Sequence, residues 1–356
     1  MSMTDDRKRG LGRPPMALVV LVLLILAAIG AWSYFWSVAS RRAEAALESW
    51  LAVEATQGRV HSCSERSTGG FPFRFEFVCE SPSFTLSVQP EVVATGQELR
   101  AVLQVWRPEH VIVELDGPLQ VASGPDLLGG SRPLVASWDL MQASLHMPLG
   151  RLRAIDVAAD NLAVAPEGRQ AAEDFALEAR RLEFHQREGA AGPSGDDQGM
   201  DLAVSAKDLM ITYPGATRVE PVDVNLVGSA VALTPELVAR PREFLPRWQE
   251  AGGRFDIQSL VARQQDTRFI AQGNLQPEAD GRLNGLLSLA LAGPDVTSPG
   301  ATNAFGGVAP FVATALRFIG ERTEIEGEPA VRGELRLRNG KAYIGNFPVA
   351  DLPRLF

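Results

Sequence analysis

The chain has 356 residues, of which 46% are hydrophobic, and a formal net charge of -9. This length allows one large or two ordinary domains, and the apolar content is enough to form a core that does not need disulfides or metal ions for its stability. The acidic balance and the absence of a basic stripe exclude nucleic acid as the expected partner, because phosphate binding requires clustered Lys and Arg.

The N-terminus carries the clearest signal in the sequence. The uncharged stretch MALVVLVLLILAAIGAWSYFW, residues 16–36, can cross a bilayer at ~1.5 Å per residue and ends in aromatic residues typical of the headgroup boundary. It is preceded by four basic residues, Arg7, Lys8, Arg9 and Arg13. The positive-inside rule therefore predicts a cytoplasmic basic tail over residues 1–15, a transmembrane anchor over 16–36, and the remainder outside the cytoplasm.

A cleavable signal peptide is the alternative interpretation, with Ser37-Val38-Ala39 as its cleavage site. The apolar run is long for a signal peptide and bulky aromatic residues crowd that site, which favours an uncleaved anchor. Apolar residues then recur at helical spacing up to Gly58, so residues 37–57 are predicted to form a membrane-proximal helix. Residues 58–356 are predicted to form one β-rich periplasmic domain.

The only two cysteines, Cys63 and Cys79, lie on either side of Gly69-Gly70, a predicted turn. Outside the cytoplasm they can form a disulfide across a hairpin, worth about 3 kcal/mol for a loop of this size. A pair of buried free thiols is the alternative. A metal site is disfavoured, because only His61 is near enough in sequence to add to the two sulfurs.

A period of two dominates from Gly58 to about Leu233 and predicts a mainly β fold. In GFPFRFEFVCE, alternation places four rings on the same side of a predicted strand as Cys79. These rings are Phe71, Phe73, Phe75 and Phe77. Similar short segments follow, separated by Gly, Pro and Asp. Together they predict a long curved antiparallel sheet, open as a groove or half-barrel, or closed as a sandwich.

Three segments in the middle of the chain follow one template. They are Val157-x-Ala159-x-x-Leu162-x-Val164, Leu177-x-Ala179-x-x-Leu182-x-Phe184 and Val204-x-Ala206-x-x-Leu209-x-Ile211. The copies are unevenly spaced, which excludes a regular solenoid. Similar strands added successively to one sheet would produce this pattern, and a chance resemblance among amphipathic strands is the alternative.

Two short helices are predicted to cover the sheet. The segment TPELVARPREFLPRWQEAGG has Thr234 as its N-cap and is broken or kinked by Pro241 and Pro246. The second helix has an apolar stripe that ends before Gly320, which indicates core packing, with a moving lid as the alternative. Its predicted covering residues are Val308, Phe311, Val312, Leu316 and Ile319.

The chain ends in a strong hairpin signal, RGELRLRNGKAYIGNFPVADLPRLF. Asn339-Gly340 is the preferred pair for a two-residue type I′ turn. Pairing across this turn gives a register that is consistent on both faces. The predicted pairs are Leu335 with Ile344, Leu337 with Ala342, and Arg336 with Tyr343.

The anchor, the Trp-containing helix, GFPFRFEFVCESPSF and GELRLRNGKAYIGNFPVADLP together resemble an uncharacterised, chiefly alphaproteobacterial family, domain of unknown function 2125. The resemblance covers most of the chain after the anchor and implies a periplasmic protein held in the inner membrane. It supplies no activity and no site residues. The anchor, the meandering strands and the late G-x-L-x-L-x-x-G hairpin are also loosely similar to AsmA-like envelope proteins, which are thought to handle lipids on long grooved sheets.

No motif in the sequence indicates catalysis. The histidines, His61, His110, His146 and His185, are widely separated and show no metal-binding spacing. A nucleophile elbow, a P-loop and a dinucleotide site are absent from the sequence. Asp196-Asp197 supplies too few oxygens for a Ca²⁺ site. The sequence therefore predicts no enzyme, no cofactor and no metal.

A long amphipathic sheet has more apolar surface than two short helices cover. We therefore predict a non-catalytic, inner-membrane-anchored periplasmic protein that binds or passes phospholipid or another acyl-chain ligand. The rings of Phe71, Phe73, Phe75 and Phe77 are predicted to floor the groove. The alternative is a structural or interaction module of an envelope complex, with a closed core, no ligand, and other envelope proteins as partners.

Overall fold

The computed structural model describes residues 15–86, 91–123, 132–169, 175–189, 199–212, 220–233, 244–294, 296 and 310–355. Within these ranges, every strand belongs to one antiparallel sheet of 21 strands. The predicted mainly β fold is confirmed. The sheet is open, because its outermost strands pair on one side only, and it is not a closed sandwich.

A single helix, α1 (Met16–Thr56), contains both the predicted anchor and the predicted membrane-proximal helix. Its N-terminal part is long and apolar enough to span a membrane, and 0% of that window is buried inside the protein. The chain leaves the helix at Gly58, which adopts a positive φ of 77° that glycine tolerates at a helix C-terminus.

The first ten strands are five long strands, each divided in two by a bend. Their bounds are β1 (Arg59–Ser62), β2 (Glu65–Gly69), β3 (Arg74–Glu80), β4 (Ser83–Leu86), β5 (Val92–Thr95), β6 (Glu98–Gln104), β7 (Arg107–Asp116), β8 (Leu119–Ser123), β9 (Leu134–Ser137) and β10 (Leu140–His146). One half of each forms arm A, in the order β2-β3-β6-β7-β10. The other half forms arm B, in the order β1-β4-β5-β8-β9.

Both arms join the same strand, and the sheet then continues as a simple meander. That strand, β11, pairs with β10 along its first half and with β9 along its second half. The remaining strands are β11 (Ala154–Pro166), β12 (Ala176–Glu188), β13 (Gly199–Thr212), β14 (Val222–Val231), β15 (Arg254–Gln264), β16 (Thr267–Pro277), β17 (Leu283–Ala292), β18 (Glu321–Ile325), β19 (Glu328–Arg338), β20 (Lys341–Ile344) and β21 (Phe347–Asp351). The described residues contain two further α-helices, α2 (Phe244–Glu250) and α3 (Pro310–Ile319).

The bends of the divided strands form a line across the sheet, which we call the crease. It continues into the undivided strands, where one extra residue interrupts the alternation. Asn161 in β11 and Asp208 in β13 have φ values of 52° and 51°, and Ser81 between β3 and β4 has a φ of 46°. Residues in this left-handed conformation bend a strand where a bulge inserts them.

The largest hydrophobic core lies between α3 and the C-terminal strands. Leu289, Leu291, Leu316 and Val331 are at most 2% exposed there. A smaller core forms where α2 packs on the ends of β13 and β14. The predicted C-terminal hairpin is confirmed, with all three predicted residue pairs in register.

The disulfide between Cys63 and Cys79 is also confirmed, with a Cα–Cα distance of 5.4 Å. Cys63 lies at the bend between β1 and β2, and Cys79 lies in β3. The bond therefore fixes the first bend of the sheet to the neighbouring strand.

Two sequence expectations about individual elements need correction, and several others concern residues outside the described ranges. The strand predicted from Phe71 begins at Arg74, because Gly70 has a φ of 97° and Pro72 lacks the N–H that a central strand needs. In α3, Leu316 covers the core, but Ile319 is 42% exposed, since it ends the helix where the chain turns into β18. Val308, Thr234, Pro241 and Asp196-Asp197 lie outside the described residues, as do the side chains of Phe311 and Val312.

Candidate functional site

One face of the sheet is apolar across almost its entire width. Directly opposed residues of an antiparallel pair lie on the same face, so the register traces this face from strand to strand. One row of opposed residues, all apolar, runs from β3 to β16. It consists of Phe77, Ala101, Val113, Ala143, Val157, Phe184, Val204, Leu226, Leu260 and Ala271.

The opposite face is polar along the same strands. The neighbouring row contains Glu114, Gln142, Ala158, Glu183, Ser205 and Asn225. Several of these side chains are joined across strands. Gln142 Nε2 donates to Glu114 Oε1 at 2.5 Å, and Ser205 Oγ donates to Glu183 Oε2 at 3.1 Å. Because its polar groups bond to one another and to water, this face needs no cover.

The first edge of the apolar face is covered by α1. The Trp36 indole stacks on Phe75 with ring centroids 5.6 Å apart, and Phe75 is only 6% exposed. Further along α1, Trp50 contacts His61, which in turn contacts Phe84, with centroid distances of 5.2 and 4.9 Å. Burial lowers the pKa of His61. Helix α1 therefore spans from arm A to arm B along this edge.

The middle of the apolar face has no such cover within the described ranges. Between β6 and β12 no described α-helix or strand packs across it, whereas α2 packs on the ends of β13 and β14 and α3 covers the C-terminal strands. Away from the crease its side chains are half-buried by their neighbours in the sheet, as those of Val113, Val157 and Phe184 are, and at the crease Ala159 and Leu162 are buried. Among the described residues, this part of the sheet presents a continuous apolar surface that neighbouring strands shield from the sides.

The sheet is concave on the apolar side at the crease. A carbon added at the β position of Gly96 would lie 3.4 Å from Leu115 Cδ1 and 3.7 Å from Leu119 Cδ1. Leu115 belongs to arm A and Leu119 to arm B, so apolar side chains of the two arms converge on one point. Their convergence gives the apolar face the form of a groove.

Hydrogen bonds and ion pairs cross the outside of the crease. Asn161 Nδ2 donates to Asp139 Oδ2 at 2.6 Å, and Arg181 Nη1 donates to Asp160 Oδ1 at 2.8 Å. Lys207 Nζ contacts Asp223 Oδ2 at 2.9 Å.

Desolvation raises the pKa of Asp223, but bonds from the Asp208 N–H and Lys207 outweigh it, and the net pKa is lowered. A shallow cavity of about 330 Å³ lies here between Glu178, Arg180 and Asp208. Its two carboxylates and one guanidinium make it mixed in charge.

The four phenylalanines singled out in the sequence do not share one environment. Phe71 and Phe73 lie in the turn before β3 and are 51% and 60% exposed. Phe75 is buried beneath α1, and only Phe77 is half-buried on the apolar face. Apart from Phe77, the floor of the open groove is built from later strands. The sequence shows the alternation within each of these strands, but only the register shows that their apolar residues share one face.

The structure joins two of the separated histidines to polar partners on the polar face. His110 Nε2 lies 2.9 Å from Ser144 Oγ, and His185 Nδ1 lies 2.7 Å from Asp156 Oδ1. The side chains of His185 and Asp156 are 48% and 52% exposed, whereas acyl-transfer chemistry uses a shielded nucleophile, base and orienting group together. Within the described ranges, no group of three or more His, Cys, Asp or Glu residues could hold a metal ion.

Comparison with known proteins identifies the family but adds no site residues. No curated protein and no solved structure matches the chain. The looser likeness to AsmA-like envelope proteins is therefore still a prediction. Residues 36–353, which include α1 from Trp36 onwards and all 21 described strands, match the family described as "Uncharacterized protein conserved in bacteria (DUF2125)", and the chain belongs to that family.

Proposed function

We propose that this protein binds or passes lipid-like apolar molecules along the open apolar face of its sheet, without catalysing a reaction. The observation that carries the proposal is the concave apolar face between β6 and β12, which no described α-helix or strand covers. Contiguous apolar surface of this kind marks a binding site in a protein that is exposed to water. Its length along many strands fits an extended chain better than a compact ligand.

We further propose that α1 anchors the protein in the inner membrane with residues 1–15 in the cytoplasm and the sheet in the periplasm. The four basic residues before Met16 support this orientation, because positive charge is retained on the cytoplasmic side. The disulfide between Cys63 and Cys79 supports an oxidising compartment for the sheet. The basic tail and the disulfide therefore both support a periplasmic position for the sheet.

The energetics favour an acyl chain as the ligand class. Each CH₂ group that leaves water contributes about 0.8 kcal/mol, so even partial burial of a long chain gives substantial affinity. Apolar side chains line the groove row by row, with the paired polar groups on the opposite face. The groove thus offers many dispersion contacts and little hydrogen-bonding selectivity, which suits apolar tails better than a polar head.

Photo-crosslinking in intact cells tests this proposal with two neighbouring positions. The photoreactive residue p-benzoylphenylalanine replaces either Phe184, on the apolar face, or His185, the next residue and on the polar face. Both positions lie at the same height in β12, so only the face differs. We expect a lipid adduct at position 184 and none at 185, identified by mass spectrometry of the purified full chain.

The same experiment separates the proposal from its main alternative. An interaction module would give protein adducts at position 184 and no lipid adduct. Lipid adducts of equal yield at both positions would show that the label reports general exposure to lipid and would contradict the groove.

A further inference from the structure

Large apolar side chains are exposed in consecutive turns at one end of arm A. Phe71 and Phe73 precede β3, Trp106 lies between β6 and β7, and Leu149 lies between β10 and β11. Their exposed fractions are 51%, 60%, 60% and 101%. We call these four residues the rim. An exposed cluster of this kind is costly in water unless another surface covers it.

The turns that carry the rim are held together. The Phe73 and Trp106 rings lie 6.2 Å apart, and Val105 N–H donates to the Phe73 carbonyl at 3.1 Å. The next turn along the edge follows β10, where Met147 N–H donates to the Glu109 carbonyl at 2.7 Å. The rim is therefore one continuous feature of the sheet end.

The rim lies beside the end of the apolar run of α1. Trp32 Nε1 donates to the Pro72 carbonyl at 2.9 Å, and the Trp36 ring meets the Phe71 ring edge-on at 5.5 Å. These two tryptophans belong to the aromatic belt that closes the spanning segment, where indoles sit at headgroup level. The height of the rim relative to the bilayer is set by these contacts.

Arm B contacts α1 further along the helix from the spanning segment. Trp50, which contacts β1 in arm B, is fourteen residues beyond Trp36, about 21 Å along the helix. Arm A thus ends near the headgroups, and arm B lies above it.

We propose that the rim inserts into the headgroup layer of the membrane that α1 spans, so that the end of arm A rests on the lipid surface. The exposed basic residues Arg107 and Arg151 directly follow rim turns and can reach lipid phosphates while the apolar side chains enter the acyl boundary. The insertion does not depend on the groove holding a ligand. If both proposals hold, the groove opens directly onto the bilayer.

Photo-crosslinking of the full chain in its native membrane tests the insertion. The same photoreactive residue replaces Phe73 or Leu149, and a control replaces Leu140, which is 45% exposed at the other end of β10. Leu140 and the turn after His146 are separated by about 20 Å of strand. We expect phospholipid adducts at the two rim positions at a yield roughly tenfold or more above the control, as partitioning of one large apolar side chain predicts.

Two further measurements keep the result interpretable. When Val113→Glu disables the groove, the lipid adducts at the rim positions should persist, whereas those at position 184 should fall. Loss of the adducts at both places would show that the rim label had captured lipid bound in the groove. The fluorescence of Trp106 is the difference between the wild-type protein and the Trp106→Phe variant, and brominated phospholipids should quench it. This measurement tests the native side chain without a photoreactive label. Rim adducts no stronger than at Leu140, with no bromolipid quenching of Trp106, would overturn the insertion.

Discussion

A charge placed on the open face should remove lipid without unfolding the protein, and Val113→Glu is the sharpest such change. Val113 is half-buried between Ala101 and Ala143 on the apolar face. Full burial of a valine is worth roughly 1.5–3 kcal/mol, so its partial burial accounts for about 1 kcal/mol. A glutamate in a strand costs up to about 1 kcal/mol more, and its carboxylate can still reach water in an open groove.

The matched control is Ile112→Glu, which introduces the same charge one residue away on the opposite face, where Ile112 is 43% exposed. Leu291→Glu provides the other extreme, because Leu291 is 0% exposed under α3. Its loss costs about 3–5 kcal/mol before the burial of a charge is counted, which is a large part of a typical stability of about 5–15 kcal/mol.

Thermal melts and the adduct yield at position 184 then distinguish an open groove from a covered apolar face. In an open groove, Val113→Glu should melt within a few degrees of Ile112→Glu and lose most of its lipid adduct, while Ile112→Glu keeps it. If Val113→Glu instead fails to accumulate, as Leu291→Glu should, the face is covered and the groove does not exist. A folded Val113→Glu protein with an unchanged adduct would show that lipid does not lie on this row.

Three further changes test the scaffold around the groove. Cys79→Ser should lower the free energy of unfolding by about 3 kcal/mol in chemical denaturation, and reductant should reproduce the loss in wild type only. Asp223→Asn should cost about 1 kcal/mol at neutral pH; because the folded pKa of Asp223 is lowered, this difference should shrink as the pH falls below about 4, and a constant difference would contradict it. Gly333→Val places its Cβ 2.8 Å from Leu316 Cδ2, so α3 should detach and its amides should exchange faster.

The sequence predicted best what depends on local pattern. The antiparallel sheet, the disulfide and the register of the final hairpin follow from alternation, turn chemistry and cysteine placement, and all three are confirmed, whereas alternation did not decide whether the sheet is open or closed. The position of Phe75 beneath Trp36 could not be predicted in the same way, because it depends on where a helix lies against a sheet that is remote in sequence. For the same reason, the pairing of His110 with Ser144 becomes visible only once the register is known.

The three-copy template in the middle of the chain shows how a local pattern can also encode a long-range feature. Its gap of two residues falls at the crease in every copy, at Asp160-Asn161 in β11, Arg180-Arg181 in β12 and Lys207-Asp208 in β13. The gap displaces the alternation by one residue, so the template residues on both sides of it stay on the apolar face. Among them, Ala159, Ala179 and Ala206 are at most 3% exposed.

The register explains why the template repeats. Ala159 lies opposite Leu182, and Leu162 lies opposite Ala179, so each small residue faces a large one in the next antiparallel copy. The charged residues of the gap fall outside, where Arg181 pairs with Asp160 across the same two strands. A strand lacking this gap would turn its apolar side chains towards water beyond the bend. The repetition is therefore what a sheet requires when each added strand must bend at the same height and keep one face apolar, and this continuous bend is what shapes the groove.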